Sequence, residues 1–122
     1  MMKRLDSLDV ATTDLADAAS IYAKTFGFEV ISAPDGNSAS VTVGGATIHL
    51  VAGAAAATAL AASGEGMFAL WLEADDVDRV VTDFRAAGLD AGAIGKHAGR
   101  RILAVDPKLS NQVPLFIFDR KA

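Results

Sequence analysis

A chain of 122 residues is long enough for one hydrophobic core and too short for two independent ones. Its 11 Lys and Arg stand against 15 Asp and Glu, and the basic residues form no stripe of the kind that neutralises phosphates, so nucleic acid is not an expected partner. The absence of cysteine excludes disulfides, a thiolate nucleophile and any Cys-ligated metal site.

We do not expect the N-terminal residues to form a signal peptide. The start is basic at Lys3 and Arg4, but Asp6 and Asp9 interrupt what would have to be an apolar run. No later stretch is apolar over the length needed to span a bilayer. We therefore expect a soluble cytoplasmic protein with no membrane partner.

The first half of the chain predicts a βαβββ pattern. Leu5 to Ala11 alternates apolar and polar residues as a half-buried strand does. A helix should follow, since N-cap residues precede an apolar stripe at helical spacing and Gly27 sits at the C-cap position. The caps are Thr12, Thr13 and Asp14, and the stripe is Leu15, Ala18, Ala19, Tyr22 and Phe26. Three strands, separated by turn residues, are then predicted: Phe28 to Ala33, Ser38 to Val43 and Ala46 to Val51.

The second half repeats this plan. Met67 to Glu73 predicts a strand, Asp75 or Asp76 a helix cap, and Gly88 the end of the helix. The second stripe is Val77, Val80, Val81 and Phe84, each residue 62 positions after its counterpart. The remaining predicted strands are Leu89 to Ile94, Arg101 to Val105 and Val113 to Phe118, with a Gly-rich loop from Gly95 to Gly99 and a turn at Asp106-Pro107.

A single domain over residues 1–122 with two modules follows from this duplication. The first module covers residues 1–51 and the second covers residues 67–122. Residues 52–66, rich in Ala and Gly, are predicted to form the linker, as either a short helical turn or a mobile connector.

In this order the motifs resemble those of the vicinal oxygen chelate superfamily, the glyoxalase/bleomycin resistance/dioxygenase proteins. The phrases that carry the resemblance are Ala11-Thr12-Thr13-Asp14-Leu15, Phe26-Gly27-Phe28-Glu29-Val30, Glu73-Ala74-Asp75-Asp76-Val77-Asp78 and Ala86-Ala87-Gly88. It implies an α+β fold in which two tandem βαβββ modules form a cupped mixed sheet, with helices on the convex side and a ligand on the concave face. It also implies a homodimer and, in the enzymes, a divalent metal.

The resemblance places metal ligands at four positions, two in each module. These match Ser7 and His49 in the first module and Ala69 and Phe116 in the second. Only His49 is a good metal ligand, because serine is a poor ligand and alanine and phenylalanine offer none. We therefore expect no metal cofactor, with an irregular divalent-metal site built from His49 and Asp9 or Glu73 as the alternative.

Strand parity predicts what lines the concave face, because successive side chains point to opposite faces of a sheet. Leu8, Val10, Ile48, Leu50, Leu70, Leu72, Leu115 and Ile117 should pack under the helices. The opposite face should then carry Ser7, Asp9, Thr47, His49, Ala69, Trp71, Glu73, Phe116 and Phe118. Aromatic walls with a few polar groups are typical of a small-molecule pocket.

Each of these residues also has a structural interpretation. Trp71, Phe116 and Phe118 can fill the core or a dimer contact, and His49 can be a buried histidine bonded to a backbone carbonyl. His97, Arg100 and Arg101 follow the second helix, where they can meet an anionic group or remain exposed on a polar loop.

Two functional hypotheses remain. The first is a metal-free protein of the bleomycin resistance type that binds a small aromatic or cationic compound through Trp71, Asp9 or Glu73. The second is an atypical lyase, isomerase or dioxygenase that uses His49, with Asp9 as an acid/base partner or with a divalent metal.

Overall fold

Both predicted βαβββ patterns are present in the structure, a computed structural model that describes residues 2–110 and 112–121. The chain divides into two units. We call residues 7–68 the N-terminal unit, and residues 2–6 with the described residues from 69 to 121 the C-terminal unit. The predicted α+β class with two modules and mixed strand pairing is confirmed. No helix in the described part of the chain is long and apolar enough to cross a membrane.

The N-terminal unit pairs its strands in the order β2-β3-β4-β1. Its elements are residues 7–11 of β1 (Met2–Ala11), α1 (Leu15–Ser20), β2 (Val30–Ser32), β3 (Ser38–Val43), β4 (Ala46–Val51) and α2 (Ala57–Ser63). β1 runs parallel to β4, and the other pairs are antiparallel. The core consists of Ala39, Val41 and Leu50, with Leu15, Ala18 and Tyr22 of the first helical segment packed against it.

The first helix contains an extra residue. Tyr22 and Phe84 are 62 positions apart, whereas the glycines that end the two helices, Gly27 and Gly88, are 61 apart. A π-helical turn at Ile21–Thr25 accommodates this residue, as single-turn π segments do. The turn changes the direction of later side chains, so Phe26, predicted to lie on the buried stripe, is 60% exposed.

Residues 52–66 contain a 3₁₀ turn at Gly53–Ala56 followed by α2. Ala56 is fully buried, so the segment packs against the unit. Beyond α2, Glu65 accepts hydrogen bonds from the hydroxyls of Thr12 and Thr13 and from the Thr13 amide at 2.9 to 3.1 Å. These hydrogen bonds lower the pKa of Glu65, and the bond from the Thr13 amide has the largest effect.

The C-terminal unit pairs its strands in the order β5-β8-β7-β6. Its elements are β5 (Gly66–Ala74), α3 (Val77–Ala86), β6 (Ile94–His97), β7 (Arg100–Ala104) and β8 (Leu115–Asp119). Asp76 is the N-cap of α3, and its side chain accepts a hydrogen bond from the Asp78 amide at 2.9 Å. The buried face of α3 packs on β7 and β8 through Val77, Val80, Val81, Leu103 and Ile117.

The predicted strand at Leu89 to Ile94 is wrong, apart from its last residue. Gly88 and Gly92 have positive φ angles, and the Asp90 carboxylate accepts a hydrogen bond from the Gly92 amide, so this segment turns. The strand, β6, begins at Ile94 and continues into the predicted Gly-rich loop. There β6 pairs with β7 as a hairpin, with His97 opposite Arg100.

The β6–β7 hairpin closes through a two-residue turn that should hold strain. Ala98 and Gly99 have φ angles of 51° and 76°, as a type I′ turn requires, and alanine is poorly suited to this region. We expect Ala98→Asn to raise the free energy of unfolding by about 0.5 to 1 kcal/mol, since Asn-Gly is a favoured pair for this turn. Urea denaturation measures the change. Ala98→Val should act in the opposite direction, and stabilisation by valine would contradict the argument.

Candidate functional site

The N-terminal unit presents a polar sheet face opposite α1. Ser7 lies opposite Thr47 on neighbouring strands, and Asp9 lies opposite His49. β3 extends both rows, because Ser40 pairs with His49 and Thr42 with Thr47. Ser7 is buried, whereas Asp9 and His49 are half-buried. Ser40 and Thr42 were missed from sequence, although the alternation of Ser38, Ser40 and Thr42 with Ala39 and Val41 carried the signal.

The C-terminal unit presents an aromatic face opposite α3. Trp71 and Phe116 are register partners on β5 and β8, and their rings stack with centroids 4.6 Å apart and planes 17° apart. Phe118 meets Trp71 edge-on at 6.2 Å and is fully buried. Trp71 and Phe116 stay half-buried. The two units thus differ in character, since the first half of the predicted lining is polar and the second is aromatic.

Arginines surround the polar end of the aromatic face. Glu73 is 6% exposed and forms two ion pairs, one through each carboxylate oxygen. The Nε atom of Arg4 lies 2.9 Å from one oxygen, and the Nε atom of Arg120 lies 3.5 Å from the other. The guanidinium carbons of Arg100 and Arg120 lie 4.4 and 5.4 Å from the centre of the Phe118 ring. Cation–π contact and ion pairing, both predicted for a ligand, are therefore already made by protein side chains on this face.

The four positions at which the resemblance places metal ligands do not fit a divalent metal. Ala69 is 3% exposed and has no donor atom, and the Phe116 ring is stacked on Trp71. His49 is the one strong ligand among them, with Ser7 as a weak one. Within residues 2–110 and 112–121, no group of three or more His, Asp or Glu side chains lies together in a way that could hold a metal ion.

On the sheet face that packs on α3, Arg101 is part of an ion-pair network, whereas the sequence predicted that it meets an anionic group or remains exposed. We call Arg101, Asp76, Asp78, Asp119 and Lys121 the Arg101 cluster. Arg101 donates to Asp119 at 3.0 and 2.6 Å, to Asp78 at 2.7 Å and to Asp76 at 3.0 Å. Lys121 donates to Asp76 at 2.8 Å, and Asp119 accepts from the Val77 amide at 2.7 Å. The cluster ties β7 and β8 to the N-terminus of α3.

These contacts shift the ionisation of the cluster. The pKa of Asp76 is lowered to about 2, and the hydrogen bond from Lys121 is the main cause. Desolvation opposes this shift, whereas hydrogen bonds from the Asp78 amide and from Arg101 add to it. Burial alone would raise the pKa of Asp119, but hydrogen bonds from Arg101 and from the Val77 and Lys121 amides outweigh it and lower the pKa. The hydrogen bond to Asp119 is the main cause that raises the pKa of Arg101.

We expect these lowered carboxylate pKa values to make stability fall in acid. A carboxylate whose pKa is lower in the folded state favours folding above its unfolded pKa, and this contribution disappears as the pH falls through the folded value. For Asp76 the loss should occur between about pH 4 and about pH 2. Urea midpoints measured from pH 6 to pH 2 test this. Asp76→Asn should lower the midpoint at pH 6 and flatten the acid decline, and an unchanged decline in that variant would contradict the assignment.

The family of the chain is shown by a match to a family profile. The profile of the Glyoxalase/Bleomycin resistance protein/Dioxygenase superfamily matches residues 4–105, and the chain belongs to this superfamily. No curated protein matches the chain.

Among solved structures, the chain is similar to a hypothetical protein from Bacillus halodurans C-125, with 16% identity, a TM-score of 0.75 and coverage of 98% of this chain and 95% of that one. It is also similar to a methylmalonyl-CoA epimerase in complex with methylmalonyl-CoA and NH4+, with 25% identity, a TM-score of 0.68 and coverage of 100% and 97%. The Mycobacterium tuberculosis methylmalonyl-CoA epimerase shows 21% identity and a TM-score of 0.70, with coverage of 97% and 88%.

Proposed function

We propose that the chain is a metal-free small-molecule binding protein of the bleomycin resistance type and that it takes an aromatic compound. The observation that carries the proposal is the half-buried Trp71–Phe116 stack on the sheet face of the C-terminal unit. A further flat ring can extend such a stack, with a contribution of about 0.5 to 1.5 kcal/mol beyond that of buried area.

The surrounding charges favour a neutral or anionic aromatic compound over a cationic one. Glu73, the carboxylate that would attract a cation here, is engaged by Arg4 and Arg120. Arg100 and Arg120 also stand over Phe118. A cationic ligand would have to approach these guanidinium groups, whereas a carboxylate on an aromatic ring would be attracted to them.

The test is a thermal-shift screen of matched aromatic compounds in three groups: neutral, carboxylated and cationic. A ligand that binds the native state raises the melting temperature. Because Trp71 is the chain's single tryptophan, its fluorescence should respond to every true ligand. We expect neutral and carboxylated compounds to stabilise the protein, and Trp71→Leu to abolish the effect.

Phe26→Leu is the matched control, because Phe26 is an exposed aromatic residue in the N-terminal unit. It should leave ligand binding unchanged. Stabilisation by cationic compounds alone, or hits that leave Trp71 fluorescence unaltered, would overturn the proposal.

A second candidate is an atypical lyase, isomerase or dioxygenase that uses His49 with Asp9. The observation in its favour is the register that places Asp9 directly opposite His49 on parallel strands. An imidazole next to a carboxylate is a common acid/base pair. The similarity to methylmalonyl-CoA epimerase suggests the first substrate to test.

The test for this candidate is incubation with methylmalonyl-CoA in deuterium oxide, followed by mass spectrometry. Proton abstraction from the substrate carbon that bears the carboxylate would introduce deuterium, and His49→Ala should abolish the exchange. Exchange that depends on His49 would favour the enzyme over the binding protein. Exchange equal to that of a protein-free sample would exclude this substrate.

We also propose that the chain forms a homodimer, as the resemblance implies. Light scattering coupled to size exclusion should give twice the chain mass. A mass equal to one chain at micromolar concentration would exclude a stable dimer.

A further inference from the structure

The β6–β7 hairpin divides its basic side chains between the two faces of the sheet. Residues directly opposite each other on an antiparallel pair point to the same face, and the pairs here are Lys96 with Arg101 and His97 with Arg100. Arg101 is held in the Arg101 cluster beside α3, so Lys96 lies on that face too. The guanidinium of Arg100 stands over the Phe118 ring, so Arg100 and His97 both belong to the aromatic face.

The charges on the aromatic face leave one guanidinium without a counter-ion. Glu73 pairs with Arg4 and Arg120, and Arg4 also pairs with Asp6 at 3.1 Å, so these two arginines share two carboxylates. Among the residues that the structure describes, no carboxylate forms an ion pair with Arg100. Arg100 is half-buried, where an uncompensated charge costs more than in water. One negative charge supplied by a ligand would balance this face.

The strands beside the aromatic rings carry small residues at this face. Ala104 on β7 is the register partner of Phe116, and Gly95 on β6 is the partner of Ile102. Both small residues are exposed. The flank of the Trp71–Phe116 stack is therefore open towards β7 and β6, the two strands that carry Arg100 and His97.

We propose that the aromatic ligand is a monocarboxylate, with its ring on the Trp71–Phe116 stack and its carboxylate bound by Arg100. This inference rests on the proposed function and names the class of ligand for the same site. His97, directly opposite Arg100, supplies a second donor. A guanidinium can bind a carboxylate through two parallel hydrogen bonds, which makes such pairs strong and oriented.

The position of the guanidinium indicates how the carboxylate is attached to the ring. The guanidinium carbon of Arg100 lies 4.4 Å from the centre of the Phe118 ring, and that centre lies 6.2 Å from the centre of Trp71. Arg100 thus stands beyond the stack, on the far side of one further ring. A carboxylate on a short flexible arm fits this spacing.

The test is a pair of titrations of the ¹⁵N-labelled full chain at pH 7 and constant ionic strength, one with 3-phenylpropionate and one with 3-phenylpropanamide. The two compounds share ring and arm, and only the first is charged. Because the chain has one tryptophan, a single indole N–H signal, that of Trp71, reports the binding of either ring. We expect the carboxylate to bind at least about tenfold more tightly than the amide and to shift the backbone amide signals of His97 and Arg100 as well.

Arg100→Gln should reduce this preference to about twofold or less, because it removes the charge and the fork of donors. Arg100→Lys keeps the charge without the planar fork, so it should retain part of the preference, and it keeps the test valid if the glutamine variant loses its fold. Arg85→Gln is the matched control, since Arg85 is exposed on α3, which packs against the other face, and its substitution removes the same charge. It should retain the full preference.

Two kinds of failure are distinguishable. If the Trp71 indole signal responds to neither compound, the proposed function is overturned and this inference with it. If both compounds bind with equal affinity, or if Arg85→Gln lowers the preference as much as Arg100→Gln does, the aromatic site stands and only the inference of a carboxylate ligand is overturned.

Discussion

Asp119→Ala is expected to lower the free energy of unfolding by about 3 to 5 kcal/mol, the usual cost of removing one partner of a buried ion pair. Asp119 is fully buried and contacts three parts of the C-terminal unit. It accepts two hydrogen bonds from Arg101 on β7, one from the Val77 amide at the start of α3 and one from the Lys121 amide. Its loss leaves these donors without their acceptor.

Asp119→Asn separates charge from shape in this prediction. The amide keeps one oxygen acceptor but loses the negative charge, so it should be destabilising by a smaller amount than alanine. Glu29→Gln serves as the control, because Glu29 is exposed and its substitution should change stability by less than about 0.5 kcal/mol. Urea denaturation at pH 7 gives all three values. A loss below about 1 kcal/mol for Asp119→Ala would contradict the importance of the Arg101 cluster.

Phe118→Ala is expected to have an effect of similar size, a loss of about 3 to 5 kcal/mol, through cavity formation rather than charge. Phe118 lies on the face of β8 opposite to that of Asp119. It is fully buried and contacts Trp71, Arg100 and Arg120. Deleting the ring removes its contacts and leaves a space that the flanking strands cannot close. Phe118→Leu fills more of the volume and should cost about 1 kcal/mol.

Phe118→Ala also tests which of the predicted site residues belong to the core and which to the binding surface. Phe118 is buried, whereas Trp71 and Phe116 remain half-buried. Trp71→Leu should therefore reduce ligand binding more than stability, and Phe118→Ala should do the reverse. Phe26→Ala, at a 60% exposed ring, is the control for stability and should have little effect. Equal stability of Phe118→Ala and the wild type in calorimetry would contradict the burial.

Strand parity and the internal duplication predicted most of the architecture. β3 and β4 have the predicted bounds, and the residues expected beneath the helices, such as Val10, Leu50, Leu72 and Ile117, belong to the two cores. These features were readable because they depend on local spacing alone. The helix caps at Asp14 and Asp76 are local in the same sense.

Contacts between residues far apart in the sequence could not be predicted from it. Arg4 reaches Glu73 from 69 residues away, and nothing near Glu73 in sequence indicates it. Arg101 was predicted to begin a strand and either to meet an anionic group or to remain exposed. Its partners in the structure are Asp76, Asp78 and Asp119, which α3 and β8 bring to it. The position of β6 was also missed, because a two-residue turn with alanine in the left-handed region is an unusual choice.

The difference between the two repeats is informative in the same way. The one-residue change in spacing between Tyr22–Phe84 and Gly27–Gly88 was present in the sequence and corresponds to the π-helical turn. Its consequence, the exposure of Phe26, required the structure because a stripe drawn at ideal helical spacing places that ring in the core.

The chain keeps the fold of its superfamily, while the positions at which the resemblance places metal ligands carry Ser7, His49, Ala69 and Phe116. The most direct test is to measure the metal content of the purified protein and its melting temperature with and without Ni²⁺, Zn²⁺, Mn²⁺ and Fe²⁺. We predict metal far below one equivalent and no stabilisation by any of the four ions, in the wild type and in His49→Ala alike. Stoichiometric metal with a raised melting temperature, both abolished by His49→Ala, would contradict the claim.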